Sequence, residues 1–264
     1  MHALTPGVAR SLLALLLSVP AQAQSAPCPG NPDALGTTRT LGVDVATSPR
    51  VGRKHFPDTL PLKPREVVLT FDDGPEPATT PRVLEALKRE CVLASFFLLG
   101  RSAAAHPELA QRERTEGHTV AHHTFAHPLL SRMSVAAAQA EIDRGFAAVD
   151  RAVYRSADGA PKTPFFRFPG FASSPHLLAW LEGRGIVVFG ADVWASDWNP
   201  MAPEQELRLV LARLEASRGG ILLFHDTKRQ TAAMLPSLLR ALKTRGFTVV
   251  HVVPAAAANA VSAR

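Results

Sequence analysis

Short apolar runs alternate with longer amphipathic stretches along most of the chain. Val67–Phe71, Ala94–Leu98, Thr119–Ala121, Phe165–Phe168, Val187–Phe189, Ile221–Phe224 and Thr248–Val252 are suited to strands buried on both faces. Between most of them lie helical patterns, over Thr80–Glu90, Pro107–Glu116, Ser134–Tyr154, Pro175–Arg184, Pro203–Ser217 and Ala232–Arg245. Strand and helix alternating in this way predict a parallel sheet, and at this strand count closure is more economical than an open sheet. The expected fold is therefore α/β, an irregular (β/α)7 barrel over residues 66–254, which no internal repeat or low-complexity linker divides. Residues 24–65, rich in Pro, Gly and Thr, predict an extended N-terminal wrap, and the small residues of 255–264 a frayed tail.

Composition narrows the class. With 264 residues, 46% of them hydrophobic, the chain can bury a large core, which excludes disorder. Residues 1–23 carry a lone Arg10, an apolar run from Ser11 to Val19 and then Ala21-Gln22-Ala23, the pattern of a secretory signal cleaved before Gln24. That run is too short to span a bilayer and no other segment approaches the length, so the mature protein is expected to be exported, periplasmic or secreted, without a transmembrane segment. Pro27 before Cys28 does not suit a lipid-anchor signal. The net charge of +6 falls to +5 without the leader, and Arg and Lys are scattered along the chain. Such scatter argues against nucleic acid and is compatible with an anionic envelope or matrix polymer. Cys28 and Cys91 are the only two thiols, which in an exported chain predicts a disulfide stapling the wrap to the start of the second strand; two unrelated buried thiols are the alternative.

In a parallel barrel the chemistry sits where strands end. The run Val67–Phe71 ends on Asp72 and Asp73, followed at once by Gly74-Pro75. Adjacent strand residues point to opposite sides, so both carboxylates reach one cleft only if Gly74-Pro75 bends the chain. The alternative is an Asp-Gly turn in which Asp73 bonds its own backbone. After Thr119–Ala121 comes His122-His123-Thr124-Phe125-Ala126-His127-Pro128. His123 and His127 are spaced i, i+4, which in a helical turn places both imidazoles on one side, close enough to share a cation, and leaves His122 structural. One carboxylate and two imidazoles give three protein ligands and an open position, the arrangement of a catalytic zinc. The neighbouring carboxylate is then within reach of a metal-bound water's proton.

Five motifs in order carry a resemblance that covers about residues 66–252. They are Thr70-Phe71-Asp72-Asp73-Gly74-Pro75, His123-Thr124-Phe125-Ala126-His127, Arg167-Phe168-Pro169, Asp197-Trp198 and Leu223-Phe224-His225. The sequence resembles the polysaccharide deacetylases of the NodB-homology type, carbohydrate esterase family 4. The resemblance implies that Asp72 is the general base and that Asp73, His123 and His127 bind a divalent metal, zinc being the foremost choice. It further implies that Arg167 pairs with Asp72, that His225 protonates the departing amine, and that Asp197 holds that imidazole. Leu223 would line a pocket for the acetyl methyl and Trp198 would wall the sugar groove. The chain departs from the family at Gly170, where an aromatic usually follows the proline; the backbone N–H survives as an oxyanion donor, and Phe168 or Phe171 could supply the missing ring. Asp192 competes with Asp197 for His225, the adjacent Trp198 favouring Asp197.

The function expected is metal-dependent removal of N-acetyl groups from N-acetylhexosamine in a glycan, by a monomer. A same-fold hydrolase of a small linear or cyclic amide would need a closed pocket, and a non-catalytic glycan binder would have no use for Asp72 and His225.

Overall fold

The computed structural model describes residues 28–156 and 158–262, together with His2; the leader assigned to residues 1–23 lies outside this range. The segment expected to wrap holds two strands, β1 (Thr37–Val43) and β2 (Arg50–Val51). The barrel strands are β3 (Glu66–Asp72), β4 (Ser95–Leu98), β5 (Thr119–His122), β6 (Phe165–Phe166), β7 (Val187–Phe189), β8 (Val193–Trp194) and β9 (Gly220–His225), followed by β10 (Thr248–Pro254). Pairing is parallel throughout: β3 with β4, β4 with β5, β5 with β6 and β6 with β7. On the other side β3 pairs with β9 and β9 with β8. Because β7 and β8 lie on one stretch of chain, separated only by residues 190–192, the ring returns to its start through that stretch and not through an unbroken ladder. This is an irregular barrel as the alternating pattern predicts, except that the two-residue β8 takes the place expected of Thr248–Val252, which as β10 pairs with β3 and β1.

The helices are α1 (Thr80–Arg89), α2 (Gly100–Ala105), α3 (Pro107–Thr115), α4 (Val135–Tyr154), α5 (Pro175–Glu182), α6 (Pro203–Ser217), α7 (Arg229–Thr244) and α8 (Ala255–Ser262). Six match the expected spans to within about one turn of helix. The stretch expected to fray is α8, which packs on β1, where a Cβ at Gly42 would lie 2.8 Å from the Ala258 methyl. The wrap is likewise more ordered than its composition suggests. β1 pairs with β10 and β2 with β7, and Cys28 is disulfide-bonded to Cys91 just before β4, with a Cα–Cα distance of 5.7 Å.

The period-2 alternation of the strands separates an interior core from two outer ones, one of which packs Phe166 and Val188 against α4 and α5. Val67, Leu69 and Phe71 of β3, with Leu222 and Phe224 of β9, face the layer of α1, α6 and α7. Val68, Phe97, Ala121, Phe165, Phe189 and Ile221 fill the barrel. Register places Val68 beside Ile221, Thr70 beside Leu223 and Asp72 beside His225. The inward columns thus climb from hydrocarbon to charge, and the charge emerges at the carboxyl ends of the strands.

Candidate active site and metal centre

Asp72 points inward because it continues the Val68–Thr70 column, and the bend comes one residue later. Asp73 has φ 77°, a left-handed conformation that swings its carboxylate to the same mouth as its neighbour's, and a cis Gly74-Pro75 bond carries the chain away. The backbone carbonyl of Asp73 accepts a hydrogen bond from Ser102 Oγ of α2 at 3.2 Å, which helps to fix the turn.

His123 and His127 meet at this carboxylate, although not in a helical turn. Residues 123–129 form a loop in which Thr124 and His127 adopt positive φ (68° and 66°), and the His127 N–H is donated to Thr124 Oγ1 at 3.1 Å. α4 presses directly on this loop, since a Cβ at Gly145 would lie 2.5 Å from the Thr124 carbonyl carbon. The two Nε2 atoms lie 3.6 and 3.5 Å from Asp73 Oδ1, and one ligand atom from each of the three residues falls within 4.8 Å of the others. Asp73 Oδ1 is buried and accepts no hydrogen bond among the described residues. His123 Nδ1 donates to the Arg167 carbonyl at 2.8 Å, which leaves Nε2 with a free lone pair. Burial holds this imidazole neutral, pushing its pKa down to about 3. A buried carboxylate oxygen without a hydrogen-bond donor, with the Nε2 atoms of two imidazoles within 3.6 Å, fits a divalent cation.

Two acid–cation pairs flank the cluster. Arg167, wholly buried, donates from Nη1 to Asp72 Oδ1 at 2.6 Å and to Thr70 Oγ1 at 3.0 Å, and from Nη2 to the Gly190 carbonyl at 2.9 Å. Burial raises the Asp72 carboxyl above its ordinary pKa, with Arg167 the main opposing influence. Opposite, His225 Nδ1 donates to Asp197 Oδ1 at 2.8 Å and the His225 backbone N–H to Asp197 Oδ2 at 2.7 Å. Burial lowers the His225 pKa, but the hydrogen bond and charge of Asp197, with Asp72 and Asp73, outweigh it and lift the imidazole to about 9. Asp192 is remote from His225. Its carboxylate accepts from Arg53 N–H, Thr59 Oγ1 and Ile221 N–H, so it ties the N-terminal segment to the start of β9. His122 is buried between Asp150, 3.2 Å from its Nε2, and the Phe165 carbonyl.

A cleft of about 350 Å³ joins Asp72, Asp73, His123, His127 and His225, lined also by Gly170, Phe171, Trp194, Trp198, Leu223 and Lys228. Phe168 is not part of it; its ring packs edge-on against Phe166 in the core. Phe171, with φ 56°, turns towards the cleft and stacks on His55 at 3.6 Å between centroids. His55 and Trp194 escaped the sequence reading. His55 lies in the Pro/Gly-rich segment with no periodicity around it, and Trp194 lies in a strand of two residues, too short to show an alternation.

Fold and site together define a class: parallel α/β barrels with a three-donor cation site and two acid–cation pairs at one mouth. The family described as polysaccharide deacetylase matches residues 59–186. A chitooligosaccharide deacetylase of Bradyrhizobium is 35% identical over 72% of this chain and 90% of its own length. The peptidoglycan-N-acetylglucosamine deacetylase PgdA of Listeria monocytogenes is 33% identical over 79% of this chain, which spans 44% of that protein. A solved peptidoglycan deacetylase of Bdellovibrio bacteriovorus superposes with a TM-score of 0.72 at 33% identity, covering 82% of this chain and 59% of that one. The chain belongs to the polysaccharide deacetylase family.

Proposed function

We propose that the chain is an exported, metal-dependent N-deacetylase that hydrolyses the acetamido group of N-acetylhexosamine residues in a glycan and releases acetate. One observation carries the reading: the donor-poor Asp73–His123–His127 cluster lies in a single cleft between a carboxylate held by Arg167 and an imidazole held by Asp197. Asp73, His123 and His127 would hold the metal, zinc by the fit of one carboxylate and two imidazoles, and bound there it supplies a Lewis acid for the amide carbonyl.

The protein's own groups do the rest. Asp72 takes the proton of the attacking water, and its raised pKa suits a base that must later release that proton. Arg167 keeps the carboxylate aimed and compensated. On the far side His225 gives its proton to the departing amine, which leaves poorly without one, while Asp197 fixes the tautomer that points Nε2 into the cleft. The Gly170 N–H serves as an oxyanion donor and Leu223 lines the space for the acetyl methyl. Trp198, Trp194 and Phe171 offer flat apolar faces to a sugar ring.

Trp198 is 45% exposed, which supports an open groove for an oligomeric substrate over the closed pocket a small-amide hydrolase requires. The substrates named for the relatives, peptidoglycan N-acetylglucosamine and chitooligosaccharide, both present such residues. The Cys28–Cys91 disulfide suits an oxidising compartment, and no helix among the described residues is long and apolar enough to cross a membrane. We take the protein to act as a monomer. The test is acetate release from a panel of N-acetylated glycans, with chelator and with metal restored. Release that chelator abolishes and metal restores is expected; turnover of a small amide with no glycan activity would overturn the reading.

A further inference from the structure

Behind the Asp197–His225 pair lies a further buried acid. Glu206, in the first turn of α6, is fully buried, and its Oε1 lies 2.9 Å from the hydroxyl of Thr231 in the first turn of α7. The same hydroxyl lies 2.9 Å from Asp197 Oδ2. Thr231 has one proton for two carboxyl groups.

Counting donors decides where it goes. Asp197, paired with His225, only accepts: Oδ1 takes Nδ1–H, and Oδ2 takes the His225 backbone N–H. Were Thr231 to donate to Glu206, its lone pairs would face the Asp197 carboxylate. If it donates to Asp197, Glu206 must supply a proton of its own from Oε1. The second arrangement satisfies every contact and leaves only Glu206 Oε2, the atom without a partner, as a neutral carbonyl oxygen. An ionised Glu206 would be a buried charge with no cation within ion-pair distance among the described residues, an expensive state.

We propose that Glu206 is a positioning residue for His225: a neutral acid that donates to Thr231, thereby fixing the Thr231 hydroxyl as a donor to Asp197. The chain of donors runs Glu206 to Thr231 to Asp197, and the doubly anchored carboxylate holds the imidazole at one angle to the cleft. Gln230 Nε2, donating to the Asp197 carbonyl at 2.7 Å, fixes the backbone of the same residue. The charged groups facing Glu206 are Asp197 and His225; those facing His225 are Asp197, Asp72 and Asp73, with Asp226 close by. Burial pushes the Glu206 carboxyl up to about 7, in the direction the donor count requires.

The inference rests on His225 being the acid of the proposed deacetylation. Four variants of the metal-loaded enzyme test it: Glu206→Leu, Glu206→Gln, Thr231→Val and the Glu206→Leu/Thr231→Val double. Removing the donor in Glu206→Leu should lower kcat by roughly 10-fold, a small part of the roughly 10²–10⁴-fold that a positioned general acid contributes, with KM unchanged because the cleft is untouched. The amide N–H of Glu206→Gln should restore what Glu206→Leu loses. The double variant should be no worse than Thr231→Val alone, because Glu206 acts only through that hydroxyl. In mildly acidic solution a difference infrared spectrum should show a protonated carboxyl band that Glu206→Gln removes. A Glu206→Gln as impaired as Glu206→Leu, multiplying losses in the double variant, or no such band, would overturn the proposal. Undiminished activity of His225→Ala would instead remove the assignment beneath it, whereas dependence on His225 with a fully active Glu206→Leu would sink only this inference.

Discussion

The two acid–cation pairs at the barrel mouth are built from the same charges and behave differently. Around Asp72 the cation is a guanidinium that keeps its proton at any pH the protein meets, is wholly buried, and lies 4.2 Å from the Phe97 ring centroid. Around Asp197 the cation is an imidazole that can lose its proton and reaches the cleft. In the first pair the carboxylate is the group left free to exchange a proton; in the second it is the imidazole. Which partner carries a transferable proton, rather than the presence of an ion pair, decides whether a site holds charge or delivers it.

The largest effect should come from unmaking the mobile member of the first pair. Asp72→Asn should cost on the order of 10²–10⁴-fold in kcat while metal stays bound, and Asp73→Asn should lose metal and recover in part when metal is added. Elemental analysis beside acetate release separates the two; equal metal loss in both would mean the neighbours are wrongly assigned. Removing the fixed member should act on the fold instead. Arg167→Met leaves Asp72 buried without its cation and should destabilise by about 3–5 kcal/mol in denaturant unfolding, far more than His225→Ala, whose site is nearer solvent.

Histidines without a carboxylate sharpen the contrast. His118 accepts the Ala94 N–H at Nδ1 and has its pKa pushed down to about 3, and His251 to about 4, both chiefly by burial. Their folded values lie below the unfolded one, so the unfolded state binds protons first and stability falls as pH drops below about 6.5. Between pH 6.5 and 5 each should cost roughly 2 kcal/mol, and His118→Gln should flatten the unfolding free energy against pH by that amount. An unchanged slope would contradict the assignment. The smallest effect belongs to the wall between the pairs: Phe171→Ala should raise KM for an oligosaccharide roughly 2- to 10-fold with kcat nearly constant.

Much of this is legible in the sequence alone, for a physical reason. A buried strand that ends on charge announces both its element and its mouth, and Asp72, Arg167 and His225 all lie at or just beyond such ends. The pairing of Cys28 with Cys91 followed from there being no other thiol. What stayed hidden depends on contacts distant in sequence. The spacing of His123 and His127 does bring both imidazoles to one carboxylate, but the helical turn inferred from it is a loop packed against Gly145 of α4. β1 reads as polar because one of its faces is half exposed, and α8 offers only small residues with no apolar stripe. Glu206 looks like a solvent-facing position of an amphipathic helix and Thr231 lies one residue before the expected helix at Ala232–Arg245; the packing of α6 on α7 buries both.

The pairing of β1 with β10 has a consequence for the order of assembly. The first strand among the described residues finds its partner only in Thr248–Pro254, some two hundred positions later, so it must wait unpaired until nearly all of the described chain is available. A contact of that span is slow to close and is gained late. The clasp also brings the two ends of the described chain onto neighbouring strands, which makes the fold a candidate for circular permutation, with new termini opened in an exposed loop. Joined that way, the late contact becomes a local one, and the permuted protein should fold faster while keeping the same mouth.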